Sequence, residues 1–246
     1  MSQELKKFLD DASEGAIYMS LGSNVRSAFL DEKVIEMFKQ TFSELSCKVL
    51  WKWENDSLPG ISKNVLLKKW FPQQDILAHR NVRVFIMQGG IQSTDEAIFN
   101  KVPLIVLPFL GDQMYNAKRV EIVGIGKYIN PYTLTKELLK ETILEVLQNP
   151  KYRNKAAEIS KLSLDQPMTG IEKAVWWTEY VIRNKGTKYL RNDSVDAPAY
   201  KYFMLDILLF LISVVYVIYL LIKSLSGFKR IVFLSILIPL TVYILI

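Results

Sequence analysis

One segment near the middle of the chain constrains the fold more than any other. Val84–Met87 is a short apolar run, as expected for a strand buried in a parallel sheet. The residues Gln-Gly-Gly follow at once, and a helix-like segment begins soon after them. A second apolar run, Leu104–Leu107, also ends in a polar turn that leads into a helix-like segment. Repeated strand, turn and helix predict a parallel α/β sheet.

The same alternation extends over most of the chain. Strand-like runs lie at Ala16–Leu21, Val49–Trp53, Val65–Leu67, Val84–Met87 and Leu104–Leu107. Helix-like runs lie at Asp31–Leu45, Gln74–His79, Ser93–Phe99, Gln113–Val123, Thr135–Leu147, Tyr152–Ser163 and Met168–Asn184. Because continuous apolar strands alternate with helices, we predict an α/β fold with a doubly wound parallel sheet covered on both faces.

The turn after the fourth strand has the features of an anion site. Gly89 and Gly90 allow a ligand to approach the backbone, and Ser93 and Glu96 lie in the opening of the next helix. A helix start presents free N–H groups and the positive end of the helix dipole, which suits a phosphate. Ligands of open α/β sheets bind beyond the carboxyl ends of the strands, where we expect this turn and the turn bearing Asp112 to lie.

The segment that contains both turns resembles the donor-binding signature of the UDP-glycosyltransferases. It reads WFPQQDILAHRNVRVFIMQGGIQSTDEAIFNKVPLIVLPFLGDQMYNAKR, from Trp70 to Arg119. The turn at 22–24 resembles the SLGS turn of that family, and 165–186 resembles the stretch that precedes the membrane anchor in insect-type members. The resemblance runs from about Leu5 to Ile222. It corresponds to the C-terminal, donor-binding half of a GT-B glycosyltransferase.

This resemblance implies a set of donor-binding residues. They are Ser23, Trp70, Gln73, Gln88, Gly89, Gly90, Gln92, Ser93, Glu96, Asp112 and Gln113. Trp70 would stack on uracil, Gln73 would bond uracil or ribose, and Glu96 would accept hydrogen bonds from the ribose hydroxyls. The segment from Gly90 to Ser93 would hold the diphosphate, and the Asp112–Gln113 pair would hold the sugar hydroxyls.

Two residues depart from the family pattern. Gln88 stands where the family usually has a histidine that donates to the diphosphate and can carry positive charge. A glutamine amide can donate but is always neutral, so losing that charge would cost about 1–3 kcal/mol in phosphate contact. Lys101 stands where glycine is usual, and lysine would be strained there if the backbone requires a positive φ.

Each of these residues also has a purely structural interpretation. Trp70 and Phe71 are both compatible with a place in the core, and Glu96 is compatible with a first-turn acid that complements the helix dipole. Asp112 would serve equally well as the N-cap of the next helix. The pair Gly89-Gly90 is weak evidence when taken alone. Only the joint spacing favours a binding site.

The sequence offers little for catalysis by itself. The catalytic histidine of the family and its partner aspartate belong to an N-terminal domain, and the chain begins close to where the second domain of the family begins. His79, the one histidine, is expected to be structural, and Cys47, the one cysteine, is expected to be a small buried residue. We therefore assign no catalytic residue, no metal site and no cofactor beyond a UDP-sugar as co-substrate. The polar start at Met1–Ser13 has no apolar leader, which leaves a partial sequence or a short natural form open.

The tail predicts attachment to a membrane. Residues 203–222 are long and apolar enough to cross the hydrocarbon layer, and 231–246 form a second, shorter apolar run. We expect a UDP-sugar-binding domain at 1–185, a juxtamembrane linker at 186–202, a transmembrane helix at 203–222 and a basic loop with the second apolar segment at 223–246. The resemblance implies that the domain lies in the lumen of the endoplasmic reticulum, and the sequons at Asn55 and Asn192 permit this. Basic residues flank the span on both sides, which leaves the opposite orientation, with the domain in the cytosol, open.

The charge pattern excludes one class of partner. The net charge is +6, but the basic residues are scattered and no nucleic-acid-binding motif is present. Lys68 and Lys69, beside the proposed uracil turn, are better explained as a solvated strand end than as a UDP-attracting pair.

The resemblance implies hexose transfer, with UDP-glucose as the expected donor, to a small lipophilic acceptor. A catalytically silent nucleotide-sugar-binding or interaction protein, alone or in a homo- or hetero-oligomer, is the alternative.

Overall fold

The computed structural model describes residues 1–224, and its contacts divide the chain into two compact units. The first unit is Met1–Pro167 and the second begins at Met168. The first unit contains a six-stranded sheet whose neighbouring strands are all parallel. The strands are β1 Ala16–Ser20, β2 Lys48–Lys52, β3 Val65–Lys68, β4 Val82–Met87, β5 Leu104–Val106 and β6 Gly126–Tyr128. The predicted α/β sheet is confirmed.

The strands are arranged in the order β3-β2-β1-β4-β5-β6. Ile17 of the central strand β1 pairs with Val49 of β2 on one side and with Val84 of β4 on the other. The chain thus builds one half of the sheet outward from β1 to β3 and then crosses back to build the other half from β4 to β6. This reversal between β1 and β4 is the point where doubly wound folds bind ligands.

Seven helices accompany this sheet in the described part of the first unit. They are α1 Gln3–Asp10, α2 Glu32–Ser43, α3 Gln73–Leu77, α4 Ile91–Phe99, α5 Gln113–Val123, α6 Lys136–Gln148 and α7 Pro150–Leu164. Two hydrophobic clusters form the core, as expected for a doubly wound sheet. Tyr18 and Phe85 belong to one cluster, and Ile17, Trp51 and Val84 belong to the other. Successive strand residues enter different clusters because strand side chains alternate between faces.

One α-helix and one strand of the first unit were not predicted from the sequence. The charged segment at the start of the chain forms α1, which buries Leu5 and Leu9 and is capped by the side chain of Ser2. These two leucines are four residues apart and so share one face of a helix. Strand β6 is only three residues long and contains Lys127, so no apolar run marks it in the sequence. A side chain at its Gly126 would clash with the carbonyl oxygen of Leu104.

The second unit contains the helices α8 Gly170–Arg183, α9 Ala199–Tyr202 and α10 Leu205–Ser224. Helix α10 has 20 residues, a mean hydropathy of 2.7 and no buried residue, and by length and composition it is able to span a membrane. It begins two residues later than the predicted span. The division by contacts places α8 in the second unit, whereas the sequence placed it in the domain at 1–185, and this boundary stays a prediction. The second apolar segment, 231–246, lies outside the described residues.

Candidate active site

A cavity of about 270 Å³ opens at the carboxyl end of the sheet, next to the reversal between β1 and β4. Its walls come from the ends of β1 and β2, the segment after β3 and the first turns of α4. The lining residues are Tyr18, Ser20, Gly22, Ser23, Lys52, Trp70, Phe71, Gln73, Gln92, Ser93 and Glu96. Six of the residues predicted from the sequence are therefore brought together: Ser23, Trp70, Gln73, Gln92, Ser93 and Glu96.

The carboxylate of Glu96 is held by two amides that follow β3. Gln73 Nε2 donates to Glu96 Oε2 at 2.7 Å, and Gln74 Nε2 donates to Glu96 Oε1 at 3.0 Å. Gln73 Nε2 also donates to Ser93 Oγ at 3.0 Å, and its Oε1 accepts from the Tyr18 hydroxyl at 3.3 Å. Each carboxylate oxygen can accept further bonds. Glu96 is therefore fixed in place while it keeps acceptor capacity for hydroxyl groups of a ligand.

The structural interpretation of the two aromatic residues after β3 holds for only one of them. Phe71 is buried and makes an edge-on contact with Tyr18, with ring centroids 5.8 Å apart. Trp70 is 72% exposed although it lines the cavity. Because the Trp70 indole does not pack in the core, its π face is accessible for stacking. Trp70 is thus placed as a platform at the mouth of the cavity.

The β4–α4 turn is built around three consecutive residues. Gly89 has a φ of 100°, and a side chain there would press on Val106 and on the backbone of Gln113. Gly90 occupies the N-cap position of α4, and no side chain caps this helix. Gln88 is buried, its Oε1 has no hydrogen-bond partner, and its amide nitrogen lies against Gly22, where a Cβ would clash. None of these three residues lines the cavity itself, and their predicted contact with the diphosphate stays a prediction. The turn presents a helix start without a side-chain cap beside an amide oxygen that has no partner.

The β5–α5 turn is satisfied internally. Gln113 is buried, and its Oε1 accepts from the backbone N–H groups of Phe109 at 2.8 Å and Leu110 at 3.1 Å. Asp112 occupies the N-cap position of α5 but makes no capping bond; its Oδ2 accepts from Asn116 Nδ2 at 2.8 Å. Neither residue lines the cavity. Their predicted contact with a sugar stays a prediction.

Five residues that line the cavity are not among those predicted from the sequence: Tyr18, Ser20, Gly22, Lys52 and Phe71. Tyr18 stacks on Phe85 with centroids 4.8 Å apart, and its burial raises the pKa of the phenol to about 12, so the hydroxyl stays protonated. Lys52 is buried at the end of β2 and donates to Glu54. The sequence contained one signal for Lys52, which lies between two tryptophans in the strand-like run Val49–Trp53. A lysine in a buried strand requires a partner, and such a pair often marks a site.

The other residues singled out in the sequence lie outside the cavity. His79 Nε2 lies 3.1 Å from Asp10 Oδ1, and Cys47 is buried, so both have the structural places expected of them. Burial raises the pKa of the Cys47 thiol to about 11, which leaves it protonated. Lys68 pairs with Glu4 and Lys69 with Asp56, in keeping with a solvated strand end. Lys101 has a φ of 60°, so the suspected positive φ is confirmed.

A larger groove of about 970 Å³ lies along α2, but it contains none of the predicted residues. Its walls mix apolar side chains with glutamates and lysines that pair with one another, such as Lys39 with Glu36 at 2.7 Å. The side chain of Asp31 caps the N-terminus of α2 by accepting a hydrogen bond from the backbone N–H of Lys33, so this helix start already has a partner. The smaller cavity is therefore the candidate site, because it joins an exposed aromatic platform and a fixed carboxylate at the sheet reversal.

Known proteins resemble this chain over most of its length. The model of the family described as UDP-glucoronosyl and UDP-glucosyl transferase matches residues 1–235. The UDP-glycosyltransferase UGT5 of Dactylopius coccus is 40% identical over 223 residues, which are 89% of this chain and 42% of that protein. The ecdysteroid UDP-glucosyltransferase of Spodoptera littoralis nuclear polyhedrosis virus is 40% identical over 223 residues, which are 89% of this chain and 43% of that protein. The chain spans less than half the length of these relatives.

Solved structures share the fold. The structure of Os79 from O. sativa in complex with UDP matches with a TM-score of 0.57 and 26% identity, covering 63% of this chain and 38% of that one. The spinosyn forosaminyltransferase SpnP matches with a TM-score of 0.59 and 20% identity, over 68% of this chain and 43% of that one, which shows the fold alone. The GT-B fold predicted from the sequence is confirmed. With a family match that covers most of its length, the chain belongs to the UDP-glycosyltransferases.

Proposed function

We propose that the first unit is the donor-binding part of an enzyme that transfers a hexose from a UDP-sugar to a small lipophilic acceptor. The observation that carries this proposal is the Glu96 carboxylate, held by Gln73 and Gln74 beside the exposed ring of Trp70. A flat π platform followed by a fixed carboxylate suits a base and its ribose. The uncapped start of α4 suits the diphosphate that comes next in such a ligand.

The expected donor is UDP-glucose. The viral relative is named as a glucosyltransferase of ecdysteroids, and the Os79 structure holds UDP. In the proposed reaction the acceptor oxygen attacks the anomeric carbon from the face opposite UDP, the bond from that carbon to the diphosphate breaks, and UDP leaves with the electron pair. The N–H groups at the start of α4 and the amide of Gln88 would stabilise its charge. We propose no metal and no further cofactor.

Binding of UDP to the full chain in mild detergent tests the donor site by calorimetry. Glu96→Ala removes the ribose acceptor, so we expect UDP affinity to fall about ten- to a hundredfold. The matched control is Asp95→Ala, which removes the neighbouring carboxylate on α4 from outside the cavity lining. Equal affinities of the wild type and Glu96→Ala would contradict the proposal.

A catalytically silent binding protein is a second candidate, and Gln88 favours it. This buried amide cannot carry the positive charge that would stabilise departing UDP, but its N–H groups can still donate hydrogen bonds to bound UDP. The discriminating assay measures release of UDP from UDP-glucose in the presence of phenolic or steroid acceptors. Because the catalytic histidine of the family belongs to the N-terminal domain, the assay supplies that domain of a relative in trans. Turnover by the wild type would then reject this candidate, whereas turnover by Gln88→His but not by the wild type would support it.

We also propose that α10 anchors the protein in the endoplasmic reticulum membrane with the first unit in the lumen. Support comes from the length and apolarity of α10 and from the sequons at Asn55 and Asn192. The proposal predicts that the full chain resists carbonate extraction from microsomes and loses mass on treatment with peptide N-glycosidase. Extraction into the soluble fraction would contradict the anchor.

A further inference from the structure

Lys52 is a buried cation at the wall of the candidate donor site. It ends strand β2, and only 9% of its side chain is exposed. Its Nζ donates to Glu54 Oε1 at 2.7 Å and to the carbonyl oxygen of Gly22 at 3.1 Å. Among the residues that line the cavity, Lys52 is the one cation and Glu96 the one carboxylate.

The ammonium group has a donor to spare. It carries three N–H groups, and Glu54 and Gly22 accept two of them. The same Nζ lies 5.9 Å from the ring centroid of Trp70. The remaining N–H is therefore available to an acceptor atom of a ligand in the cavity.

The position of Lys52 relates it to Gln88. Gly22, whose carbonyl oxygen accepts from Lys52, packs so closely on the amide nitrogen of Gln88 that a Cβ would not fit. Gln88 in turn precedes Gly89 and the uncapped start of α4. Gly22 therefore contacts both Lys52 and the neutral amide of Gln88, and Lys52 also lies near the ring of Trp70.

We propose that Lys52 donates a charge-assisted hydrogen bond to the diphosphate of the UDP-sugar and thereby supplies positive charge that Gln88 cannot. This inference rests on the proposed donor site and assigns a residue to its phosphate specificity. Because Glu54 partly neutralises Lys52, the contribution comes through direct contact rather than through long-range attraction.

The competing explanation is that Lys52 only holds the neighbouring loop. Glu54 Oε2 also accepts from the backbone N–H of Ala28 at 3.1 Å, so the pair ties the loop between Gly22 and Ala28 to the end of β2. A purely structural role would affect every ligand of the cavity alike. A phosphate contact affects UDP but not uridine.

The experiment compares the dissociation constants of UDP and uridine for the full chain in detergent. For Lys52→Met we expect UDP affinity to fall about tenfold while uridine affinity stays constant, since one charged hydrogen bond is lost. Lys52→Arg keeps the charge and should retain most of the preference for UDP. The control Lys68→Met alters a lysine outside the cavity and should change neither constant.

Two further variants keep the test decisive. Lys52→Met leaves Glu54 without its partner, so the double variant Lys52→Met/Glu54→Gln removes both charges and protects folding. It should show the same loss of preference for UDP. Glu54→Gln alone frees the lysine and should raise UDP affinity about threefold, whereas a structural tie predicts a loss.

The outcomes separate the two proposals. Failure of the wild type to bind UDP would overturn the proposed donor site itself. UDP binding by the wild type with an unchanged ratio of UDP to uridine affinity in Lys52→Met and in the double variant would overturn the role of Lys52 alone. Equal losses for both ligands would assign Lys52 to the structural tie.

Discussion

The two turns at the carboxyl edge of the sheet both place polar residues after an apolar strand, but their hydrogen bonding differs. No side chain caps the helix start in either turn, but in the β4–α4 turn Gln88 Oε1 also has no hydrogen-bond partner. In the β5–α5 turn Gln113 already binds two backbone N–H groups, and Asp112 binds Asn116. Polar residues after a strand can therefore either await a ligand or complete the turn itself, and only the hydrogen-bond partners distinguish the two cases.

The turns are also connected. Asn116 Nδ2 donates to the carbonyl oxygen of Gly89 at 2.9 Å as well as to Asp112 at 2.8 Å. We call the β4–α4 turn the open turn and the β5–α5 turn the closed turn. The side chain of Asn116 joins the backbone of the open turn to Asp112 of the closed turn. The closed turn therefore holds the open turn in place.

The largest expected effect comes from a methyl group in the open turn. In Gly89→Ala the new Cβ would lie 2.9 Å from Val106 Cγ1 and 3.0 Å from the Gln113 carbonyl oxygen, at a φ that alanine avoids. We expect a loss of about 3 kcal/mol in the free energy of unfolding, measured by urea denaturation. The control Gly111→Ala adds a methyl group to the closed turn, where nothing lies within 4 Å. It should cost only about 1–2 kcal/mol for its backbone; equal losses would show that packing is not the cause.

The next largest effect concerns the closed turn. Gln113→Ala leaves the N–H groups of Phe109 and Leu110 without their acceptor, so we expect a loss of about 2 kcal/mol in the free energy of unfolding. Gln113→Glu keeps an acceptor oxygen and should recover most of this stability. Affinity for UDP should change little in either variant, because the predicted partner of Asp112 and Gln113 is the sugar, which UDP lacks. A large loss of UDP affinity without loss of stability would mean that the closed turn is part of the UDP site.

A smaller effect is expected from restoring a titratable group to the open turn. The imidazolium introduced by Gln88→His would donate to the diphosphate, which raises the pKa of the new imidazole in the complex above its ordinary value near ~6.5. The variant should bind UDP about five- to tenfold more tightly than the wild type at about pH 5.5, and the advantage should disappear as the pH rises through about 8. Taking the ratio to the wild type at each pH cancels the titration of UDP itself. A ratio that does not change with pH would contradict direct contact between residue 88 and the diphosphate.

The smallest effect concerns the link between the turns. Lys101, after α4, has a φ of 60°, so Lys101→Gly should relieve strain and raise the free energy of unfolding by about 0.5–1 kcal/mol. Lys118→Gly, at an exposed position inside α5, is the matched change and should lower it by about 1 kcal/mol. Two changes of the same sign would show that backbone conformation does not decide the outcome at 101.

The sheet was predictable because most of its strands are apolar on both faces and therefore appear as short continuous runs. Strand β6 was not, since its place depends on Gly126 fitting against Leu104, which is a tertiary contact. The site residues likewise fall into those with a local sequence signal and those that depend on tertiary contacts. Residues inside one continuous signature, such as Trp70 and Glu96, were found together, whereas Tyr18 and Lys52 enter the cavity only when β1 and β2 lie beside β4.

The order of the strands has a consequence for biosynthesis. Of the six strands of this sheet, β1 comes first in the chain; it pairs with β2 on one side and must wait for β4 on the other. Until Val82–Met87 has left the ribosome, the centre of the future sheet is an open edge, which is able to pair wrongly with other chains. The strand that closes this edge also carries Gln88 and the two glycines. The turn of the ligand site therefore follows directly on the strand that covers the open side of β1, so a nascent chain that binds nucleotide has already paired β1 on both sides.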